Sequence, residues 1–381
     1  VIEVCCVKYL FQNIALVKHY FVIFVLLIVG CEQPPLRVGF VAGLTGPYAE
    51  LGVDGRDAVL LAVAEANAAG GVQGRRLEVV VRDAGTDEAS CAAALEEVIR
   101  QGVIVVVGPM ISRHAQVTMD LMGRYPGVLF FSPTISSSLL SGRDDMFLRS
   151  ISKAADQGEV LARYLHRQGL RRVVAVQDRD NAAYTDDVVA ALVEVGRSLG
   201  VAVEVLAYGE GKPLDPGMVA VRIGQANPDA VVLVANSLHT AAMAQEIRKQ
   251  GLKIPLLSAK WAQTTDLFSV GGRTVEGMVL VGSATQPGPE FSRFGAQFRE
   301  RYGRVPSFAA VWSYDAARIL LDAMGRAREL SGQSIKEAIL AVPVYQGLER
   351  EIRLDPFGDA LHDYGLVVVR EGRFEPLPES P

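Results

Sequence analysis

From Leu36 onward, apolar positions follow two alternating rhythms. Short runs rich in Val, Ile and Phe recur between longer stretches in which apolar residues return every three or four positions. The short runs predict strands over Arg37–Ala42, Arg76–Arg82, Ile104–Val107, Leu129–Phe131, Arg172–Gln177, Ala202–Ala207, Ala230–Val234 and Met278–Val281. The periodic stretches predict helices over Val53–Ala68, Ala89–Gln101, Gln157–Gln168, Thr185–Leu199 and Thr240–Gln250. Alternation of this kind builds βαβ units, a parallel sheet covered by helices. The unbroken apolar runs at Val103–Val107 and Val231–Val234 suit strands buried on both faces. One such series precedes about residue 153 and another follows it, which predicts an α/β fold of two doubly wound parallel-sheet lobes.

Before Leu36 the pattern differs. Tyr20–Gly30 is an uncharged apolar run preceded by Lys18 and His19. It is shorter than the roughly 20 residues that a membrane-spanning helix needs, and it fits the apolar region of a secretory signal peptide. Residues 1–30 are therefore read as a leader, with 1–16 an overextended gene start and Val17 an alternative one. Ile28-Val29-Gly30-Cys31 resembles the lipobox of bacterial lipoproteins, which marks Cys31 as the lipidated residue and the mature N-terminus. An ordinary signal peptide, or a buried core segment, is the plainer alternative.

Composition narrows the classes. The 381 residues exceed one ordinary core, and a 50% hydrophobic, 21% charged chain is not chiefly disordered. A formal charge of −5 argues against a dedicated nucleic-acid binder, since phosphate neutralisation needs a basic surface, although a local basic cleft is compatible with it. Glu3, Lys8 and Lys18 are the charged residues of the leader, so the remainder is one charge more acidic. With Cys5 and Cys6 removed and Cys31 lipidated, Cys91 stands alone in a helical pattern as a small core residue. No disulfide framework follows, and the scattered histidines offer no metal-ligand spacing. No cofactor is called for.

In open parallel sheets, ligands gather beyond the C-terminal ends of the strands. The loops there are Gly43–Tyr48, Gly108–Ser112, Ser132–Ser136, Asp178–Tyr184, Ala235–His239 and Ser258–Trp261. Their Ser, Thr and free backbone amides suit a carboxylate or other small anion, although Ser and Thr also serve as helix caps.

Gly43-Leu-Thr-Gly-Pro-Tyr-Ala-Glu-Leu-Gly52, Ala64-Glu-Ala-Asn-Ala-Ala-Gly-Gly-Val-Gln-Gly74 and Leu77-Glu-Val-Val-Val-Arg-Asp83 together resemble the N-terminal signature of the periplasmic leucine/isoleucine/valine-binding proteins. Val107-Gly-Pro109, Ser132-Pro133, Arg149, Asp156-Gln157-Gly158 and Phe357-Gly-Asp359 continue the likeness over nearly the whole mature chain. These are the type I solute-binding proteins of ABC importers. The resemblance implies two lobes joined by a three-strand hinge, residues 36–153 plus 283–348 forming the first and 154–282 plus 349–381 the second. It also implies an enclosed amino acid or related carboxylate as ligand, importer membrane subunits as partners, and an exported, lipid-anchored protein at the cell envelope.

By that resemblance, Ser112, Thr134 and Ser136 hold the ligand carboxylate, and Tyr184 is kept in the second lobe. Lys260 stands where the family has an acidic partner for the ammonium, tyrosines are replaced near Leu238 and His239 and at Leu51, and Trp261 is available as an apolar wall. Two readings follow. Either the ligand is not a standard α-amino acid and presents an acidic or polar group to Lys260, or Lys260 is an ordinary solvated side chain and Trp261 lines the cleft instead.

Enzyme classes find little support. The chain has no dinucleotide-binding Gly-x-Gly-x-x-Gly, no phosphate-binding loop and no His-Glu-x-x-His; its one Gly-x-Ser-x-Gly, Gly196–Gly200, closes a predicted helix and does not sit on a strand-to-helix turn, and Asp83 and Asp87 read as caps. A lipid-anchored sensor or envelope-assembly lipoprotein of the same fold, binding a protein partner, is the alternative function.

Overall fold

The computed structural model describes residues 33–282, 288–361 and 363–377. The leader, the 1–16 start and Cys31 lie outside the described residues.

Each predicted strand forms within one residue of its expected ends. In chain order the first strands are β1 (Leu36–Ala42), β2 (Leu77–Asp83), β3 (Val105–Val107), β4 (Leu129–Ser132) and β5 (Phe147–Arg149). They make one parallel sheet in the order β2-β1-β3-β4-β5, with Leu36 opposite Leu77 and Phe40 opposite Val107. The second sheet has β6 (Arg172–Asp178), β7 (Ala202–Tyr208), β8 (Ala230–Val234), β9 (Leu256–Ser258) and β10 (Val279–Gly282) running parallel. Two strands, β14 (Gly365–Arg370) and β15 (Arg373–Pro376), extend it antiparallel beyond β10. The middle strands are buried along their length, as the unbroken apolar run over Ala230–Val234 requires.

Between the chain's two passes into the second sheet lies a small antiparallel sheet: β11 (Tyr345–Gln346), β12 (Glu351–Leu354) and β13 (Ala360–Leu361). The architecture is therefore α/β with two lobes and a hinge-like antiparallel region, as expected. Asp359 fixes this region to the first lobe. Its backbone bridges Arg149 in parallel, and its Oδ1 lies 2.8 Å from Arg149 Nε with both side chains buried.

The predicted helices form as α1 (Ala49–Ala68), α2 (Glu88–Arg100), α4 (Ala154–Arg167), α5 (Ala182–Ser198) and α7 (Ser237–Lys249), with α3 (Ala115–Arg124) and α6 (Pro216–Ala226) between them. All five start one to four residues earlier than their periodicity indicates. Asp87 and Asn236 cap α2 and α7, accepting from Ser90 N at 2.8 Å and His239 N at 2.9 Å. Later helices are α8 (Asp266–Gly271), α9 (Pro289–Tyr302), α10 (Phe308–Arg326) and α11 (Gly332–Leu340). Of these, α10 packs along α1 and so belongs to the first lobe. Arg304, just before α10, ties it there by reaching Asp54 at 2.8 Å and Asp57 at 2.6 Å on α1.

Two glycine motifs have steric causes. Gly71 has φ +79, and a Cβ there would lie 2.0 Å from Arg75 O inside the tight turn into β2. A Cβ on Gly158 would lie 2.2 Å from Val188 O, so the close packing of α4 on α5 needs glycine.

Candidate functional site

The C-terminal strand ends of both parallel sheets face one another across a cleft. On the first lobe, β3 leads to a 3₁₀ turn at Ser112–His114 and β4 leads to Thr134 and Ser136. On the second, β6 leads to Asn181 and Tyr184, and β9 leads to a 3₁₀ turn at Lys260–Ala262. Residues from both sides line a partly open cavity of about 360 Å³, a figure that includes space open to solvent: Leu51, Met110, Ile111, Ser112, Thr134, Ser136, Ile151, Gln157, Asn181, Tyr184, Lys260, Trp261 and Phe308.

The lobes touch around this cavity. Tyr48 stacks on Trp261 with ring centres 5.6 Å apart and planes inclined by 26°. Arg113 N donates to Asn181 Oδ1 at 2.8 Å, Ser138 N and Oγ both donate to Asp187 at 2.7 Å, and Thr265 Oγ1 donates to Glu50 Oε1 at 3.1 Å. The structure is thus the closed arrangement.

The first-lobe wall is polar and already ordered. Ser112 Oγ accepts from Ser136 N at 3.2 Å, and Thr134 Oγ1 donates to Met110 O at 2.5 Å. Ser132 braces the same loop from beneath by donating to Pro109 O and accepting from Ile135 N. On the second lobe, Gln157 Oε1 accepts from Tyr184 Oη at 2.8 Å and from Lys260 N at 3.0 Å, joining two strand-end loops. Tyr184 also meets Trp261 edge-on, with centroids 5.7 Å apart, and its burial pushes its phenol pKa up.

Lys260 is 3% exposed, so the reading of it as an ordinary solvated lysine fails. The short turn after β9 directs its side chain inward across the cleft. Nζ donates to Gln263 Oε1 at 2.8 Å and lies 4.5 Å from the Trp312 ring centre and 5.1 Å from that of Phe308, both on α10. Desolvation pushes its pKa down to about 7, opposed by the charge of Glu349 and assisted by that of Arg350.

His239 is not among the residues lining this cavity. The cap turn at Asn236 points its ring away, with Nδ1 2.9 Å from Tyr208 Oη and 3.3 Å from Asp178 Oδ2. Its neighbours Asn236, Ser237 and Leu238 border a second cavity of about 420 Å³, which shares Leu51 and Trp261 with the first.

These positions, together with the doubly wound lobes, agree with a match of residues 35–373 to the model of the periplasmic binding protein family. The chain belongs to the periplasmic binding protein family. The resemblance read from the sequence is borne out. The chain is 24% identical to the Leu/Ile/Val-binding protein of Escherichia coli (strain K12) over 280 residues, which is 72% of this chain and 70% of that protein. In fold it is similar to the branched-chain amino acid transporter substrate binding protein from Streptococcus pneumoniae in complex with isoleucine. There the TM-score is 0.82 at 19% identity, over 90% of this chain and 98% of that one. It is similar as well to an ABC transporter solute binding protein from R. palustris in complex with benzoate, with a TM-score of 0.80 at 17% identity over 90% and 95% of the two chains.

In this periplasmic binding protein, several lining residues carry no sequence signal of their own. Met110, Ile111, Ile151 and Phe308 look like ordinary core positions, and Gln157 stands out only as part of Asp156-Gln157-Gly158. Among the described residues, no group of His, Cys, Asp and Glu is placed to hold a metal ion, and no helix is long and apolar enough to cross a membrane.

Proposed function

We propose that this periplasmic binding protein is the extracytoplasmic solute-binding lipoprotein of an ABC importer. It closes two lobes over a small amino acid or a related carboxylate or amide, and it is anchored through lipid on Cys31. The observation that carries this reading is the cavity shared by the two lobes, lined by Ser112, Thr134 and Ser136 of the first and by Tyr184, Lys260 and Trp261 of the second. A solute touching both lobes favours the closed form by its differential affinity for closed over open, and the importer's membrane subunits would read that form. No catalytic step is assigned to the site.

The reading is tested by thermal melting of the purified protein against a panel of amino acids, carboxylates and amides. A bound solute at 100 times its Kd stabilises by about 2.7 kcal/mol. The absence of a shift with every member would overturn solute binding. Lipidation is tested separately, by mass spectrometry of the membrane fraction for a diacylated peptide beginning at Cys31.

A further inference from the structure

The cavity between the lobes holds a cation and no anion: among the described residues that line it, Lys260 is the charged one, and no Asp or Glu is present. The aromatic faces of Trp312 and Phe308 flank its Nζ, and Gln263 Oε1 accepts one of its protons. A second cation, Arg350, has its guanidinium carbon 4.4 Å from the centre of the same Trp312 ring, and the charges of Glu349 and Arg350 act on Lys260 in opposite directions. On the opposite wall Ser112 Oγ accepts from Ser136 N, which leaves its own proton for a ligand. The site therefore offers proton donors from both lobes.

We propose, on the reading of this cavity as the solute site, that the solute is a 2-oxo or 2-hydroxy carboxylate with an apolar side chain, and that Lys260 sets the preference against α-amino acids. The carboxylate is met by the Ser112 side and the oxygen at C2 accepts from Lys260 Nζ. An ammonium at C2 would instead face the lysine in a desolvated space whose lining supplies no carboxylate, since Glu349, whose charge acts on Lys260, does not line the cavity. Such an arrangement costs binding. Leu51, Ile151, Trp261 and Phe308 supply the apolar surround for the side chain.

The test compares matched compounds by isothermal titration of the whole protein: leucine with 4-methyl-2-oxopentanoate and 2-hydroxy-4-methylpentanoate, and phenylalanine with phenylpyruvate. The expected result is that within a pair the oxo or hydroxy acid binds about tenfold or more tightly than the amino acid. Lys260→Met should abolish that preference and Lys260→Glu should invert it. If either variant fails to melt cooperatively, the wild-type pairs decide alone. An amino acid that binds as tightly as its oxo acid overturns the role of Lys260 and leaves solute binding standing. Failure of every organic acid, amino acid and amide to bind overturns the solute site itself, and this inference with it.

Discussion

Lys260 Nζ, carried by the second lobe, lies 4.5 Å from the centre of the Trp312 ring on the first. Closure thus strips water from an ammonium and replaces it with an aromatic face. A desolvated cation–π contact returns about 2 kcal/mol, whereas burying an ammonium costs several. The pKa of about 7, against an ordinary 10.5, expresses that imbalance. Because the folded, closed form binds fewer protons than the unfolded chain between these values, ligand-free stability rises with pH through this window. Below about pH 7 the full penalty applies. Lys260→Met should therefore stabilise the ligand-free protein by about 2–4 kcal/mol at pH 7, with the gain shrinking toward pH 10. Urea titrations of both proteins at the two pH values measure it; equal stability at pH 7 would contradict a buried ammonium.

Glu50 provides a contact of opposite sign at the rim. Its Oε1 accepts from Thr265 Oγ1 across the cleft, and burial, with the nearby Asp266 carboxylate, raises its pKa to about 7. A carboxyl with a raised folded pKa contributes stability that is complete below its unfolded value and is lost as pH rises through the folded one. The window here is about pH 4.5 to 7. Lobe closure, followed by small-angle scattering in the presence of a bound solute, should weaken across that window, and Glu50→Gln should flatten the dependence. A variant that titrates like the wild type would remove Glu50 from the closing contact.

How far the sequence could be read depended on burial. Ala230–Val234 was legible because a strand covered on both faces leaves an unbroken apolar run. Phe147–Arg149 and Leu256–Ser258 are three-residue strands that, unlike Val105–Val107, end in Arg or Ser, so no apolar run marks them. Helix α10 was missed for the opposite reason: Ala309–Ala317 are all buried, so the apolar and polar faces that give a helical period do not separate. That loss matters for the site, because Phe308 and Trp312 reach Lys260 only once the chain has crossed back into the first lobe. The loops that carry Ser112, Thr134, Ser136, Tyr184, Lys260 and Trp261 could be located because each follows a parallel strand, whereas the resemblance to the Leu/Ile/Val-binding proteins picked out the residues within them. His239 follows one too, and local capping at Asn236 turns it elsewhere.

The hinge-like region rests on Arg149 and Asp359. Arg149 is fully buried, and besides Asp359 its guanidinium reaches Ser137 O at 2.9 Å and Ser141 Oγ at 2.6 Å. Asp359 Oδ2 also accepts from Gly142 N at 2.8 Å. Asp359→Asn removes the counter-charge of a buried cation, for which a loss of about 3–5 kcal/mol is expected. Replacing both partners with Arg149→Met and Asp359→Leu should recover part of it, since no unpaired charge then remains. Denaturant midpoints of the single and double variants check this, and a double variant less stable than Asp359→Asn would refute it.

Trp261 does two things at once, and its removal separates them. Its ring stacks on Tyr48 across the cleft, a contact of about 0.5–1.5 kcal/mol beyond area burial, so its loss should weaken closure by roughly that amount. It also lines both cavities together with Leu51, so Trp261→Ala should join them. A short solute would then lose an apolar wall and bind about ten- to a hundredfold more weakly, while a longer one that extends past Leu51 would lose less. Isothermal titration with carboxylates of increasing chain length therefore predicts a shift of preference toward longer chains, beyond a uniform loss. A uniform loss across all lengths would leave Trp261 as a closing contact alone, and an unchanged Kd for every length would exclude both roles.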